Sequence, residues 1–237
     1  VGGLRMAGRH RGALPADGWG RVGTGLRTGV RTAWTTVADG EFFCAACGGD
    51  RNYERRTGRR RLELLGVPLL RGNATEPVLA CTSCGEHFGP EALTRPTTTR
   101  LAALLRDGVQ GVALAALAMG GTDHPAARRA AVTSVHAAGY PDCTEEQLLA
   151  QCAALRSDTS AGACVGVEIE LHATLGPLVP HLAEPGRVGL LLQGARIALA
   201  DGPYSPGERA VLTALGSALE FTPEQTQALL VAAPEPR

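Results

Sequence analysis

From residue 100 onward, apolar positions recur every three or four residues, the period of an α-helix that buries one face. "LAALLRDGVQGVALAALAM", "PAARRAAVTSVHAAG" and "TEEQLLAQCAAL" carry the pattern first, and "GRVGLLLQGARIALA", "PGERAVLTALGSALE" and "TPEQTQALLVAA" carry it again. Within 210–221, Val211, Leu215, Ala218 and Leu219 fall on one helical face. The start signals agree. Thr144 with Gln147, Ser205 with Glu208 and Thr222 with Gln225 have the spacing of capping boxes, in which each side chain serves the other's backbone N–H. Pro206 stands at a first helical position, where its missing N–H costs nothing. Gly202 is expected to end the preceding helix in the left-handed region.

Before residue 91 the pattern changes. "EFFC", "RRLELLGVPLL" and "PVLAC" read as short strands broken by Gly, Asn and Thr. "ALTRPTTTR" then reads as a linker, because Pro96 and the threonine run resist helix. Residues 1–38 are glycine-rich and basic without hydrophobic periodicity. They are expected to be disordered, since so little apolar surface cannot offset the entropy of ordering, with Trp19 and Trp34 as local docking groups. The predicted organisation is a disordered segment 1–38, a strand-rich module 39–90, a linker 91–99 and a helical domain 100–237.

The helical part repeats itself. "ALAMGGTDHPAARRAAV" (116–132) aligns with "ALADGPYSPGERAVL" (198–212), at a shift of 82 residues before the turn and 81 after it, and the Thr144 and Thr222 boxes align at a shift of 78. Each copy is a helix, a glycine turn, a second helix, a break and a third helix, so the array should hold about six or seven helices. Met119 stands where Asp201 stands, and Ala127 where Glu208 stands. The same turn is therefore built in the first copy without either acid.

Composition adds compartment and surface. Aromatics are only 4% of the 237 residues while apolar residues make up 44%, which favours close-packed helices over a sandwich of large rings. Residues 1–80 hold 13 Arg against 7 acidic residues, net +6, and residues 81–237 hold 10 against 16, net −6. Two parts with different surfaces are implied. No signal-peptide core is visible and the apolar run "VALAALAM" is far short of the roughly 20 residues of a membrane span, so a cytoplasmic protein is expected. In that compartment the seven cysteines are thiols or metal ligands.

Cys44-Ala-Ala-Cys47-Gly48 and Cys81-Thr-Ser-Cys84-Gly85 are the strongest chemical signal. Two residues between cysteines let both sulfurs face one ion, and the following glycine permits the tight turn. Four thiolates make a closed tetrahedral Zn²⁺ site, structural because no coordination position is left open. A β-hairpin is expected to fill the long separation between the knuckles. A redox pair would need a strand–helix context that these strands do not supply. His87 reads as a surface residue and Cys152 as core. Arg51, Arg55, Arg56, Arg59, Arg60 and Arg61 lie between the knuckles, beside Tyr53. They are either a nucleic-acid contact or a solvated strand face.

With Ala198-Leu199-Ala200-Asp201-Gly202, then Glu208, then Thr222-Pro223-Glu224-Gln225, residues 100–237 resemble the TerB family of tellurite-resistance proteins. The preceding "FFCAACGGD…CTSCGEHF" is similar to zinc ribbons fused to such domains. The resemblance implies a mainly α fold built from a duplicated helical unit. It also implies a non-enzymatic, metal-binding stress-response adaptor, with protein partners in complexes that can be membrane-associated and no small-molecule substrate. By the same resemblance Asp201 and Glu208 become ligands for Ca²⁺, Mg²⁺ or Mn²⁺, in one copy only. The alternative implied by the arginines is a nucleic-acid-associated regulator working through Arg55, Arg56, Arg59, Arg60 and Arg61.

Overall fold

The computed structural model describes residues 28–64, 67–157 and 163–233. Five strands come first: β1 (Thr28–Cys44), β2 (Gly49–Leu64), β3 (Val67–Ala74), β4 (Val78–Cys81) and β5 (His87–Phe88). A 3-10 turn at Pro90–Thr94 leads into seven helices: α1 (Thr98–Ala116), α2 (Pro125–Ala138), α3 (Glu145–Ser157), α4 (Ala163–Leu175), α5 (Glu184–Ala198), α6 (Pro206–Ala218) and α7 (Pro223–Val231). The chain is mainly α, with a small β module ahead of the helices.

Contacts divide the chain into two compact units. One contains residues 28–35 and 57–76; the other contains 36–56 and everything from Pro77 onward. In the first, β2 pairs antiparallel with β3 from Arg59↔Ala74 to Leu64↔Val67. Gly58 there is bound on both backbone groups to the Thr75 hydroxyl. In the second, β2 pairs with β4 (Tyr53↔Cys81 to Arg56↔Val78), and β4 with β5 (Leu79↔Phe88). The division leaves both cysteine knuckles in the same unit as the helices.

Two boundaries differ from expectation. Residues 1–27 lie outside the described residues, but Thr28 is already in strand, so the last eleven residues of the segment expected to be disordered, 28–38, are strand instead. "TGVRTAWTTVADG" has few core-forming residues, yet it is rich in Thr and Val, and β-branched residues suit a pleated surface. At the other end, α1 starts at Thr98 inside the expected linker. Thr97 is its N-cap, accepting from Arg100 N, and threonine opposes helix in the middle but starts one well.

The helical repeat is present as α1–α2–α3 and α5–α6–α7, with α4 between the copies. All three capping boxes form. Val211, Leu215, Ala218 and Leu219 are buried as read. Helix α4 was missed because Glu168, Glu170, His172 and Thr174 alternate with apolar residues in "ACVGVEIELHATL", which hides the face shared by Val167, Leu171 and Leu175. It supplies Val167, Leu171 and Leu175 to the main core, where they meet α1, α5 and α6 through Val112, Leu191, Leu212 and Leu215. A second cluster joins α1, α2, α3 and α5 through Ala113, Ala131, Val135, Leu148, Cys152 and Ile197. Helix α1 thus serves both cores. The stretch Pro90–Gly120 around it is long and apolar enough to cross a membrane, and half of that window is buried among the other helices. That burial is what a core helix shows.

The change of shift from 82 to 81 means that the first copy carries one more residue in its turn. Leu117–Gly121 takes it up by widening into a π-turn, whereas the second copy tightens into a 3-10 turn at Leu199–Asp201. Gly202 does not adopt the expected left-handed helical geometry. Its φ of 139° and ψ of −160° lie in an extended mirror region open essentially to glycine alone.

Candidate metal centres

The first site follows from two turns of the same shape. After each knuckle a glycine takes positive φ, 69° at Gly48 and 73° at Gly85. Gly48 N donates to Cys44 O, and Gly85 N to Cys81 O, each at 2.9 Å. Pairing of β2 with β4 then sets Tyr53 opposite Cys81 and closes the knuckles on each other. Phe42, Cys44 and Cys81 are buried together, with Tyr53 and Phe88 standing edge-on to the Phe42 ring at 5.5 Å.

The four sulfurs all lie within 4.8 Å of one another. Sulfurs held about 2.3 Å from a tetrahedral zinc are separated by about 3.8 Å, and Cys44 Sγ and Cys84 Sγ stand 3.8 Å apart. Donor type, number and spacing fit Zn²⁺. Cys47 N donates to Cys44 Sγ at 3.4 Å, an amide aimed at sulfur as the motif requires. Mutual contact drives the thiols apart in acidity. Cys47 is pushed up to about 12, first by its hydrogen bond with Cys84 and then by burial. Burial also raises Cys81, but backbone N–H groups of Cys84 and Ser83 bring it down to about 6. Groups sharing protons in this way titrate as one unit, and a central dication is what stabilises all four as thiolates. His87 is exposed on β5, outside the cluster. Cys152 is buried, and desolvation raises its thiol to about 11. Among the described residues, the four ribbon cysteines are the only group of three or more His, Cys, Asp and Glu side chains placed to share an ion.

Immediately beyond the first knuckle, Asp50 reaches the start of α1. Its carboxylate accepts from Thr98 N at 2.8 Å, from the Thr98 hydroxyl, and from Thr99 N at 3.4 Å. The Thr98 hydroxyl and amide together hold the Asp50 carboxyl below its ordinary range. Sequence reading assigned Asp50 nothing. The only signal was an acid two residues after a knuckle glycine, and its partner lies 48 residues away.

The second site is the turn between α5 and α6, inside the second copy. Glu208, only 2% exposed, accepts from Ser205 N through Oε2 at 2.7 Å, while Glu208 N donates to Ser205 Oγ at 3.2 Å. The rest of its carboxyl group lies over Gly120 of the first copy, so close that a Cβ there would fall 2.6 Å from Oε1. Gly207 approaches Met119 O equally closely. The two turns are therefore packed against each other at glycines. Asp201, with its side chain 12% exposed, faces His124 at 3.8 Å. Tyr204 is half-buried, its hydroxyl enclosed without a partner, and burial followed by the nearby Glu208 carboxylate raises its pKa. In the first copy the same positions hold His124 at the N-cap, making no side-chain cap, and a fully buried Ala127.

The arginines are dispersed. Arg56 is held by Glu54 at 2.8 Å, and Arg51 donates to its neighbour's carbonyl. Arg55, Arg59 and Arg60 are exposed on β2. The side chain of Arg61 lies outside the described ones.

A duplicated helical array preceded by a ribbon whose four cysteines fit a metal such as zinc defines a protein of mainly helical class. The family described as Tellurite resistance protein TerB matches residues 112–230, spanning the end of α1 through α7. The chain belongs to that family. Comparison with curated proteins and with solved structures returns no match.

Proposed function

We propose that this protein is a non-enzymatic, cytoplasmic stress-response adaptor of the tellurite-resistance type, with a structural zinc ribbon and one weak divalent-cation site. What carries the reading is the pairing of a TerB domain with a four-cysteine cluster of zinc geometry at its entrance. The zinc would be held by Cys44, Cys47, Cys81 and Cys84 and would supply folding energy, not a reactive position. Protein partners remain part of the proposal and take their support from the family alone.

Asp201 and Glu208 are the proposed cation ligands. Glu208 already serves Ser205 N, so a cation would draw mainly on its other oxygen, on Asp201, and on turn carbonyls and water. Two carboxylates are few, and a dissociation constant on the order of 10⁻⁴–10⁻³ M is expected. At about 100 times that constant, Ca²⁺, Mg²⁺ or Mn²⁺ would stabilise the fold by roughly 2.7 kcal/mol. A thermal melt across the three cations tests this. The parent should rise with at least one of them, and the double variant Asp201→Asn, Glu208→Gln should not. A parent melt insensitive to all three removes the cation site and leaves only the cap.

The exposed Arg59 and Arg60 support a second reading, contact with nucleic acid. Affinity for a short duplex or single strand should then fall steeply with salt and weaken further in Arg59→Ala, Arg60→Ala. No binding at low salt would leave these arginines as a solvated strand face.

A further inference from the structure

The first zinc knuckle is flanked on both sides by contacts to the segment that starts α1. Phe43, just before Cys44, carries the Arg95 guanidinium over its ring at 5.0 Å. Asp50, three residues after Cys47, takes Thr98 N and Thr99 N. Between these contacts, Ala92 of the 3-10 turn packs on the cluster of Phe42, Cys44 and Cys81.

At the helix start the donors divide cleanly. The first N–H groups of a helix have no intrahelical acceptor. Here Thr98 N and Thr99 N go to Asp50, Arg100 N goes to Thr97 Oγ1 at 3.2 Å, and Leu101 N makes the first main-chain bond to Thr97 O. An anion at this end also opposes the positive pole of the helix. Helix α1 therefore takes half of its N-terminal cap from its own sequence and half from the knuckle. Like α5, it is also shared by both cores, through Leu104, Val109 and Val112 in one and Ala113 and Ala116 in the other.

We infer that zinc occupancy is read by the helical domain through Asp50: the metal fixes the knuckle, and the knuckle holds the acid under the first turn of α1. Loss of the ion releases the Cys44–Cys47 turn, carries Asp50 and Phe43 away, and frays α1 from Thr98 towards Leu104. The ribbon is then a metal-dependent clamp on the central helix of the TerB array, not a module standing apart from it. This rests on the reading that the four cysteines hold zinc.

The test is amide exchange resolved by residue on the full chain, with zinc counted by native mass spectrometry in every sample. Chelation should remove one zinc and speed exchange at Thr98 and Thr99 by about fivefold or more, the effect of a lost cap, with α6 and α7 unchanged. Asp50→Ala should retain one zinc and show the same acceleration. Asp50→Asn, which keeps an acceptor but loses the charge, should fall between and serves if Asp50→Ala folds poorly. Zinc loss with unchanged Thr98 and Thr99 exchange overturns the clamp while leaving the zinc site standing, as does an Asp50→Ala protein that exchanges like the parent. A protein that never holds zinc overturns the zinc reading and the clamp with it, and exchange in Asp50→Ala then shows whether the bare contact exists.

Discussion

Replacing Cys81 by serine should strip the ribbon of its metal and unfold residues 36–56 and 77–88 while the helices from α2 onward stay folded. The cluster is small: only Phe42, Cys44 and Cys81 are buried at its heart, with Cys47, Tyr53, Phe88 and Ala92 around them. Three aromatic rings cannot offset the ordering of some thirty residues at about 1–2 kcal/mol of backbone entropy each. Zinc binding to small modules contributes on the order of 10 kcal/mol, and its loss should leave the ribbon without enough burial to stay folded. Cys81 is the informative ligand because it also sits in the β2–β4 ladder opposite Tyr53 and takes its own N–H to Glu86 O at 2.9 Å. Native mass spectrometry should count one zinc in the parent and none in Cys81→Ser, and protection from exchange should collapse in the ribbon and at the start of α1 only. A metal-free variant with full ribbon protection would show that the aromatic cluster holds itself.

Glu208→Ala should lower stability by about 2 kcal/mol, the sum of a lost cap and the space left by a buried side chain. For a chain of this size that is a fall of about 6 °C in melting temperature. Glu208→Gln keeps an oxygen for Ser205 N, removes a buried charge, and should be neutral or slightly stabilising without added cation. Glu224→Ala in the exposed first turn of α7 is the control and should stay within about 0.5 kcal/mol. Calorimetry of the three variants decides between them. If Glu208→Ala melts with the parent, the acid does not hold the turn together, and its burial needs another cause.

The helical class, the duplication, the capping boxes and the grouping of Cys44, Cys47, Cys81 and Cys84 were all legible in the chain, because each rests on short-range chemistry. A capping box spans four residues, a knuckle five, and a helical stripe repeats every turn. Helix α4 was not legible for the converse reason. Its polar residues alternate with apolar ones, and Val165 and Ile169 stay exposed, so the face buried through Val167, Leu171 and Leu175 leaves no helical period to read. The threonines at 97–99 were misread because their effect depends on position in a helix, and position depends on Asp50.

What sequence by itself determined is therefore local: which segments wind, where they start, which four sulfurs belong together, and that one copy of the turn kept its acids. What only the tertiary structure decided is which distant groups meet. Nothing in "ADGPYSPGER" announces that Glu208 is buried over Gly120, or that Gly207 touches the Met119 carbonyl 88 residues earlier in the chain. Nothing in "CGGD" announces that Asp50 caps a helix beginning at Thr98. Such contacts arise because apolar faces without directional preference are driven together by burial, and the polar groups carried along on them must then find partners where packing has set them down.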